Sequence, residues 1–330
     1  LHQRSIAIAS LVAASVSSLM PAPFFITHYP MTMNTTTPRR SVLYVPASNP
    51  RAIEKVRNLP CDVIVFDLED AVAPAMKAQA RENLIAAFAA QPFAVHETVI
   101  RVNALGTPEF DADLRAAATC RADAVLLPKV DTGADLETFA TAVGKLVDGP
   151  APRLWAMMET ACAIHHVDDI LRAGKDSRVS LACLVVGTND IAKETGVYPG
   201  DNRMYLVPWL MSIVLAAKRY GIEVLDGVWN DFGDRAGFDN EVLQSVRMGF
   251  DGKTLIHPSQ VEPANRAFTP SDAAIADARA IVAAFARPEH EAAGVINLDG
   301  RMVERLHLEQ ATRLLTKLDA IQTRSQQLPG

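Results

Sequence analysis

The sequence predicts a TIM (β/α)8 barrel with a C-terminal helical extension acting as a lid, on three observations. Eight short apolar runs recur between residues 41 and 258, each followed by a stretch able to form a helix. The runs are continuously apolar rather than alternating, the pattern of strands buried on both faces in a parallel sheet covered by helices. Most runs end in a charged residue, and in this fold the carboxyl ends of the strands face the polar mouth where active sites lie.

The first unit is "SVLYVPA" (41–47), after which Asn49-Pro50 marks a helix start and "RAIEKVRNL" supplies the helix. The strands that follow are "DVIVFDLED" (62–70), "TVIRVN" (98–103), "DAVLLPKV" (123–130), "RLWAMMET" (153–160), "LACLVVGTND" (181–190), "EVLDGVW" (223–229) and "GKTLIHP" (252–258). Past residue 270, "PSDAAIADARAIVAAFARPEH" reads as a helix, and "EAAGVINLDGRMVERLHLEQATRLLTKL" as an extended stretch leading to a last helix. The barrel is placed at 39–270 and the extension at 271–330, where it either covers the barrel mouth or reaches a neighbouring subunit. Residues 1–33 are set apart from the fold. "HQRSIAIASLVAASVSSLMPAPFF" has the outline of a secretory signal but is too short and Ser-interrupted to span a membrane. Met31 and Met33 stand just before a polar leader, so a start assigned too far upstream is the favoured reading.

A chain of 330 residues with 49% apolar and 21% charged residues and a net charge of −6 has the composition of an ordinary globular protein. It carries no long Lys/Arg run to follow a nucleic-acid backbone, which leaves small molecules and proteins as partners. Cys61, Cys120, Cys162 and Cys183 are widely spaced with no C-x-x-C pair. That distribution predicts reduced thiols and a cytoplasmic location rather than zinc or disulfides.

The strand exits carry Glu69 and Asp70, Arg101, Lys129, Glu159, Asp190 and His257. Singly, each has a structural explanation: Asp70 or Asp190 as a helix cap, Arg101 as a partner for a carboxylate. Together they line one rim more densely than stability alone demands. Glu159 and Asp190, on neighbouring strand ends with no His or Cys beside them, form a hard oxygen site suited to Mg²⁺, which keeps waters for a substrate to replace. Arg101 offers a fork for a carboxylate or a developing oxyanion, and a second carboxylate pair can hold it or move protons. A metal-bound 2-oxo acid and a stabilised enolate are the two halves of an aldol cleavage.

In order along the chain, "RRSVLYVPASNPRAIEKV", "DVIVFDLEDAV", "IRVNAL", "VLLPKV", "MMETACAI", "VGTNDIAKETG" and "GKTLIHPSQV" make it resemble the HpcH/HpaI aldolase and citrate lyase family, in particular its members like the citrate lyase β subunit. The resemblance covers about residues 39 to 325. It implies a Mg²⁺-dependent carbon-carbon lyase that cleaves a 3-hydroxyacyl-CoA thioester such as citryl-CoA or malyl-CoA to an acyl-CoA and a 2-oxo acid, or forms it from them, in a homotrimer or hexamer. By motif it implies that Glu159 and Asp190 ligate the metal, and that Arg101 binds the substrate's oxygens and stabilises the enolate. Glu69 and Asp70 would orient metal-bound water and Arg101 and transfer protons. Lys129 either binds substrate or neutralises Glu69. For the CoA phosphates, the helix start after "VPASNPR" offers backbone N–H groups with Arg40, Arg51 and Lys55 close in sequence. Two other readings stay open: a CoA-free class II aldolase acting on a 2-oxo acid, and a citrate lyase β subunit active only with an acyl-carrier protein.

The chain departs from the family pattern at three places. Where the lid of malyl-CoA-type members has an Asp in a stretch like "G-x-M-x-D", "GRMVE" offers Glu304, an acid one methylene longer; a misplacement near 1 Å can cost on the order of 100-fold in rate. "VPASN" stands where a Gly often follows the Pro, and "GTND" where "GxED" is frequent. Other features carry less. His165 and His166 are adjacent on a helix and face different directions, a poor metal site. His257 reads as a positioning residue. Asp226, Asp231 and Asp234 in "DGVWNDFGD" read as loop residues rather than a second metal site.

Overall fold

Strand β1 (Ser41–Pro46) pairs on one side with β2 (Val63–Asp67) and on the other with β8 (Gly252–Leu255). Between them β3 (Glu97–Arg101), β4 (Ala124–Leu127), β5 (Arg153–Met158), β6 (Leu181–Val186) and β7 (Glu223–Asp226) complete a closed, all-parallel ring in sequence order. The computed structural model describes residues 37–327 apart from 94, 148, 177, 179 and 291. The expected leader at 1–33 lies outside the described residues. The predicted (β/α)8 barrel is thus the observed fold, with every expected strand present.

The crossovers carry helices α1 (Pro50–Val56), α2 (Lys77–Ala90), α3 (Phe110–Cys120), α4 (Gly133–Leu146), α5 (Ala161–His165), α6 (Val167–Asp176), α7 (Thr188–Thr195), α8 (Val207–Tyr220), α9 (Arg235–Met248) and α10 (Val261–Phe268). Successive strand side chains point to opposite faces, so each strand feeds two cores. Ile64, Phe66, Ile100, Leu127, Ala156 and Leu184 face the helices. Val42, Val63, Val65, Val99, Leu126, Trp155, Met157, Val185 and Leu225 fill the barrel interior. Closure between β8 and β1 depends on Gly252, where a Cβ would stand 1.8 Å from the carbonyl oxygen of Arg39.

The N-terminal end of the ring is plugged by ion pairs. Arg39 lies over the Trp155 ring and bonds Glu97 and Glu223, while Arg40 grips Asp62 through Nε (2.9 Å) and Nη2 (2.8 Å).

The extension begins with α11 (Asp272–Phe285), capped by the Ser271 side chain, which accepts from Ala274 N–H. An antiparallel hairpin follows, β9 (Val295–Leu298) and β10 (Arg301–Glu304), turning at Asp299-Gly300, both with positive φ as a tight two-residue turn requires. The last helix, α12 (Arg305–Gln327), packs with α11 and the hairpin around a small core of Ile281, Phe285, Ile296 and Val303. Arg324 Nη2 on α12 donates to Cys61 O (2.9 Å) and Lys317 Nζ reaches Asp251 O (3.5 Å). Cys61 and Asp251 sit just before β2 and β8, so α12 runs beneath the N-terminal end of its own barrel. The alternative that the extension covers its own barrel mouth is therefore corrected: the long helix is fastened to the opposite end. All four cysteines are free thiols, and no described helix is long and apolar enough to cross a membrane.

Candidate active site

Strand parity decides which exit residues enter the barrel. The inward positions Val65, Val99 and Met157 are followed two residues later by Asp67, Arg101 and Glu159, and Val42 is followed by Tyr44. These side chains meet below a cavity of about 410 Å³ at the C-terminal mouth, lined by Tyr44, Asp67, Asp70, Arg101, Met157, Gly187, Thr188, Asp190, Asn230 and Ile256 among others.

Arg101 is held in one orientation. Its Nε donates to Asp67 Oδ1 (2.8 Å) and its Nη2 to Asp67 Oδ2 (2.5 Å), a two-point clamp, and Asp67 is itself fixed by the backbone N–H groups of Glu69 and Ala71. The guanidinium lies 5.0 Å over the Tyr44 ring. Glu69 Oε2 comes within 2.8 Å of Arg101 Nη1 but off any N–H direction, so the pair is an ion contact without a hydrogen bond. Burial pushes the Glu69 carboxyl up to about 7 against the pull of Arg101, helped by Asp70, Glu159 and Asp67.

Behind Gly187 in the cavity wall, Glu159 is 1% exposed. Its Oε1 accepts the Lys129 backbone N–H (2.8 Å), which the left-handed φ of 54° at Lys129 aims inward, while its Oε2 is buried with no partner among the described residues. Burial raises the Glu159 pKa, opposed by Lys129. Asp190, in the first turn of α7, accepts from Lys129 Nζ (2.6 Å), and the same ammonium stands 3.4 Å from Glu159 Oε1. The two carboxylates thus already hold one cation between them. Gly187 keeps the space open, since a Cβ there would lie 2.7 Å from Glu159 Oε2. The unpartnered oxygen, the half-exposed Asp190 and the all-oxygen donor set fit a hard divalent cation. Among the described residues no group of three or more His, Cys, Asp or Glu could hold a metal, so a cation here would rest on two carboxylates and keep its other positions open.

The structure therefore brings Glu69, Asp70, Arg101, Lys129, Glu159 and Asp190 to one mouth. Asp70 lines it from the exposed rim and takes no part in the Arg101 clamp, which belongs to Asp67. At the level of sequence Asp67 stood at the strand exit without a role and Tyr44 was missed, although the period-two pattern running through Val65 and Val42 marks both as inward. Tyr44 Oη is buried without a partner, and burial raises its pKa.

The CoA-phosphate expectation for Arg40 is corrected: it precedes β1, lies at the opposite end of the barrel, and spends its guanidinium on Asp62 and Thr269. Arg51 and Lys55 are exposed on α1, whose start follows the carboxyl end of β1, and neither lines the cavity. Glu304 ends β10, where its backbone N–H donates to His307 Nδ1; no described residue after Ile256 lines the cavity, so the chain does not bring its own Glu304 there. His257 caps a short turn and stacks on Phe232, and Asp234 caps α9. Asp226 is fully buried between Arg203 and Lys253, part of the packing rather than a loop carboxylate. Burial pushes its carboxyl up, but those two cations outweigh it and hold it well below the usual range.

Comparison with known proteins agrees with this geometry. A (3S)-malyl-CoA thioesterase of Cereibacter sphaeroides (strain KD131 / KCTC 12085) is 43% identical over 86% of this chain and 96% of its own length. An L-malyl-CoA/beta-methylmalyl-CoA lyase of Rhodobacter capsulatus is 35% identical over 82% and 92%. The solved structure of protein CitE from Mycobacterium tuberculosis, in complex with magnesium, acetoacetate and coenzyme A, superposes with a TM-score of 0.69 at 28% identity, covering 86% of this chain and 99% of that one. With the family model for HpcH/HpaI aldolase/citrate lyase matching residues 40–258, which span every strand of the barrel and all the residues gathered at its mouth, the chain belongs to that family.

Proposed function

We propose that the chain is a Mg²⁺-dependent carbon-carbon lyase that cleaves a 3-hydroxyacyl-CoA thioester such as malyl-CoA into an acyl-CoA and a 2-oxo acid. The observation that carries this reading is one cavity lined by a rigidly clamped Arg101 and by Asp190, with an unpartnered Glu159 oxygen buried behind Gly187 of its wall. Relatives named for malyl-CoA chemistry, and a neighbour holding magnesium with coenzyme A, support it.

Magnesium bound by Glu159 and Asp190 would polarise the oxygens of the nascent 2-oxo acid. Arg101 binds the thioester oxygen, where negative charge gathers as the bond between C2 and C3 breaks and the electron pair moves into the enolate. Asp67 keeps that fork aimed and free of reorganisation during the step. Glu69, with a pKa near neutrality, takes the proton of the 3-hydroxyl as the bond breaks and can return one to C2 of the departing enolate. Lys129 neutralises the carboxylate pair and lies within reach of a substrate carboxylate. Arg51 and Lys55 face the CoA phosphates from the rim. Glu304 comes from the hairpin of a second copy in a homotrimer or hexamer, a reading supported by exposed Val295, Met302 and Leu306 around it. Four free cysteines fit a cytoplasmic location.

A second reading, thioester hydrolysis, is favoured by one observation: the relative at 43% identity is named a thioesterase, the one at 35% a lyase. Incubation with Mg²⁺ and malyl-, citramalyl-, methylmalyl- or citryl-CoA separates the two. Release of a 2-oxo acid without free thiol, abolished by Asp190→Ala, supports the lyase; free thiol without a 2-oxo acid gives the site to hydrolysis. Neither product from any thioester would move a CoA-free aldolase or a carrier-dependent subunit to the front.

A further inference from the structure

At the end of the barrel remote from the mouth, a second cavity of about 200 Å³ lies between α12 and the entries of β3 and β5, bordered by His96, Glu97, Asp123, Arg153, Thr323 and Arg324. Arg324 is 5% exposed, and while Nη2 is spent on Cys61 O, its Nε and Nη1 have no partner among the described residues. His96 is 6% exposed; its Nε2 donates to Leu59 O (3.0 Å), which leaves Nδ1 as a lone-pair acceptor, and Nδ1 is also unpartnered.

The acids nearby are engaged elsewhere, wholly or in part. Both Glu97 oxygens are taken by Arg39 and Arg153, Asp123 Oδ2 accepts from the Thr98 N–H and hydroxyl, and Asp62 is clamped by Arg40. Two buried guanidinium donors without acceptors are costly, and burial already pulls the Arg324 pKa down. A ligand that met all three atoms would accept two hydrogen bonds from Arg324 and donate one to His96, and negative charge on it would suit the guanidinium.

We propose that this cavity binds a small oxyanion bearing an O–H group, a hydrogenphosphate or a 2-hydroxycarboxylate, its anionic oxygens on Arg324 and Arg153 and its hydroxyl on His96 Nδ1. The anion fastens α12, and with it the hairpin that ends at Glu304, to the barrel.

The test uses the full chain in EDTA at pH 7 and constant ionic strength, with calorimetric titration and thermal melting against two matched pairs, phosphate with sulfate and lactate with propionate. Saturable binding with a raised Tm is expected for phosphate or lactate, and which of them binds names the source. The partner lacking the O–H should bind about tenfold more weakly, the loss of one hydrogen bond. Arg324→Met should abolish binding, Arg153→Ala should weaken it several-fold, and Arg101→Met should leave it intact. Arg153 is 43% exposed in its side chain, so its variant carries the test if Arg324→Met does not fold. No saturable binding, or binding lost with Arg101→Met and kept with Arg153→Ala, overturns the site. Sulfate binding as tightly as phosphate overturns the role of His96.

Discussion

Arg39 and Arg40 at the N-terminal end of the barrel are each 6% exposed, and Arg101 and Glu159 at the C-terminal end are 9% and 1% exposed. By burial alone the two ends are alike. Their hydrogen bonding differs. Arg40 and Asp62 satisfy each other at two points with Thr269 added, and Arg39 is shared by Glu97, Glu223 and a carbonyl. At the mouth, Glu69 Oε2, Glu159 Oε2 and Tyr44 Oη are left without hydrogen bonds, next to Asp67, Arg101 and Gly187, which line an open cavity. Buried polar groups whose hydrogen bonds are all made form a plug; those left short of partners beside a cavity form a site, because their desolvation is offset only when a ligand arrives, and by that measure His96 and Arg324 stand apart from the plug at their own end.

The sharpest way to break this contrast is Glu159→Gln. It should reduce Mg²⁺-dependent turnover to background, while thermal melting in EDTA shows a chain as stable as the parent or more so, since a neutral amide is cheaper to bury than an unpartnered carboxylate oxygen. A large loss of stability would place Glu159 with the plug. Arg101→Lys should lower kcat by about 100- to 1,000-fold, because a point charge cannot hold the two-point clamp and still face the substrate; a KM effect alone would contradict enolate stabilisation. At the other end, Arg40→Met leaves Asp62 buried and unpaired, so urea unfolding should show a loss of about 3–5 kcal/mol with unchanged kcat in the folded fraction.

Much of this was legible from the chain. Buried parallel strands are apolar on both faces, so the eight runs announced themselves, and their charged exits marked the rim that gathers Glu69, Arg101, Lys129, Glu159 and Asp190. Asp67 ends β2 as Arg101 ends β3, but the roles went to Glu69 and Asp70 just beyond it, and only strand parity sets Asp67 on the same face as Glu69 and apart from Asp70. Arg40 was misplaced for a related reason: nearness in sequence to a helix start says nothing about which end of the intervening strand a residue occupies. The docking of α12 beneath the barrel rests on pairs such as Arg324 with Cys61, too far apart in sequence for any local pattern to carry.

Glu69 gives the finest version of the contrast, since it is buried beside an arginine yet titrates near neutrality. Its folded pKa is raised from 4.5 to about 7, so between those values the native state holds a proton that the unfolded chain has lost. The stabilisation is complete below about pH 4.5 and fades as pH rises through about 7, with a span on the order of 3 kcal/mol at 1.36 kcal/mol per unit. Glu69→Gln cannot lose a proton. In metal-free buffer the stability of the parent relative to this variant should therefore fall steadily between pH 5 and 8, as read by urea midpoints at each pH. A parallel pair of curves would mean that Arg101 governs Glu69 as Arg40 governs Asp62, and that Glu69 is ionised throughout and unfit to carry the substrate's proton.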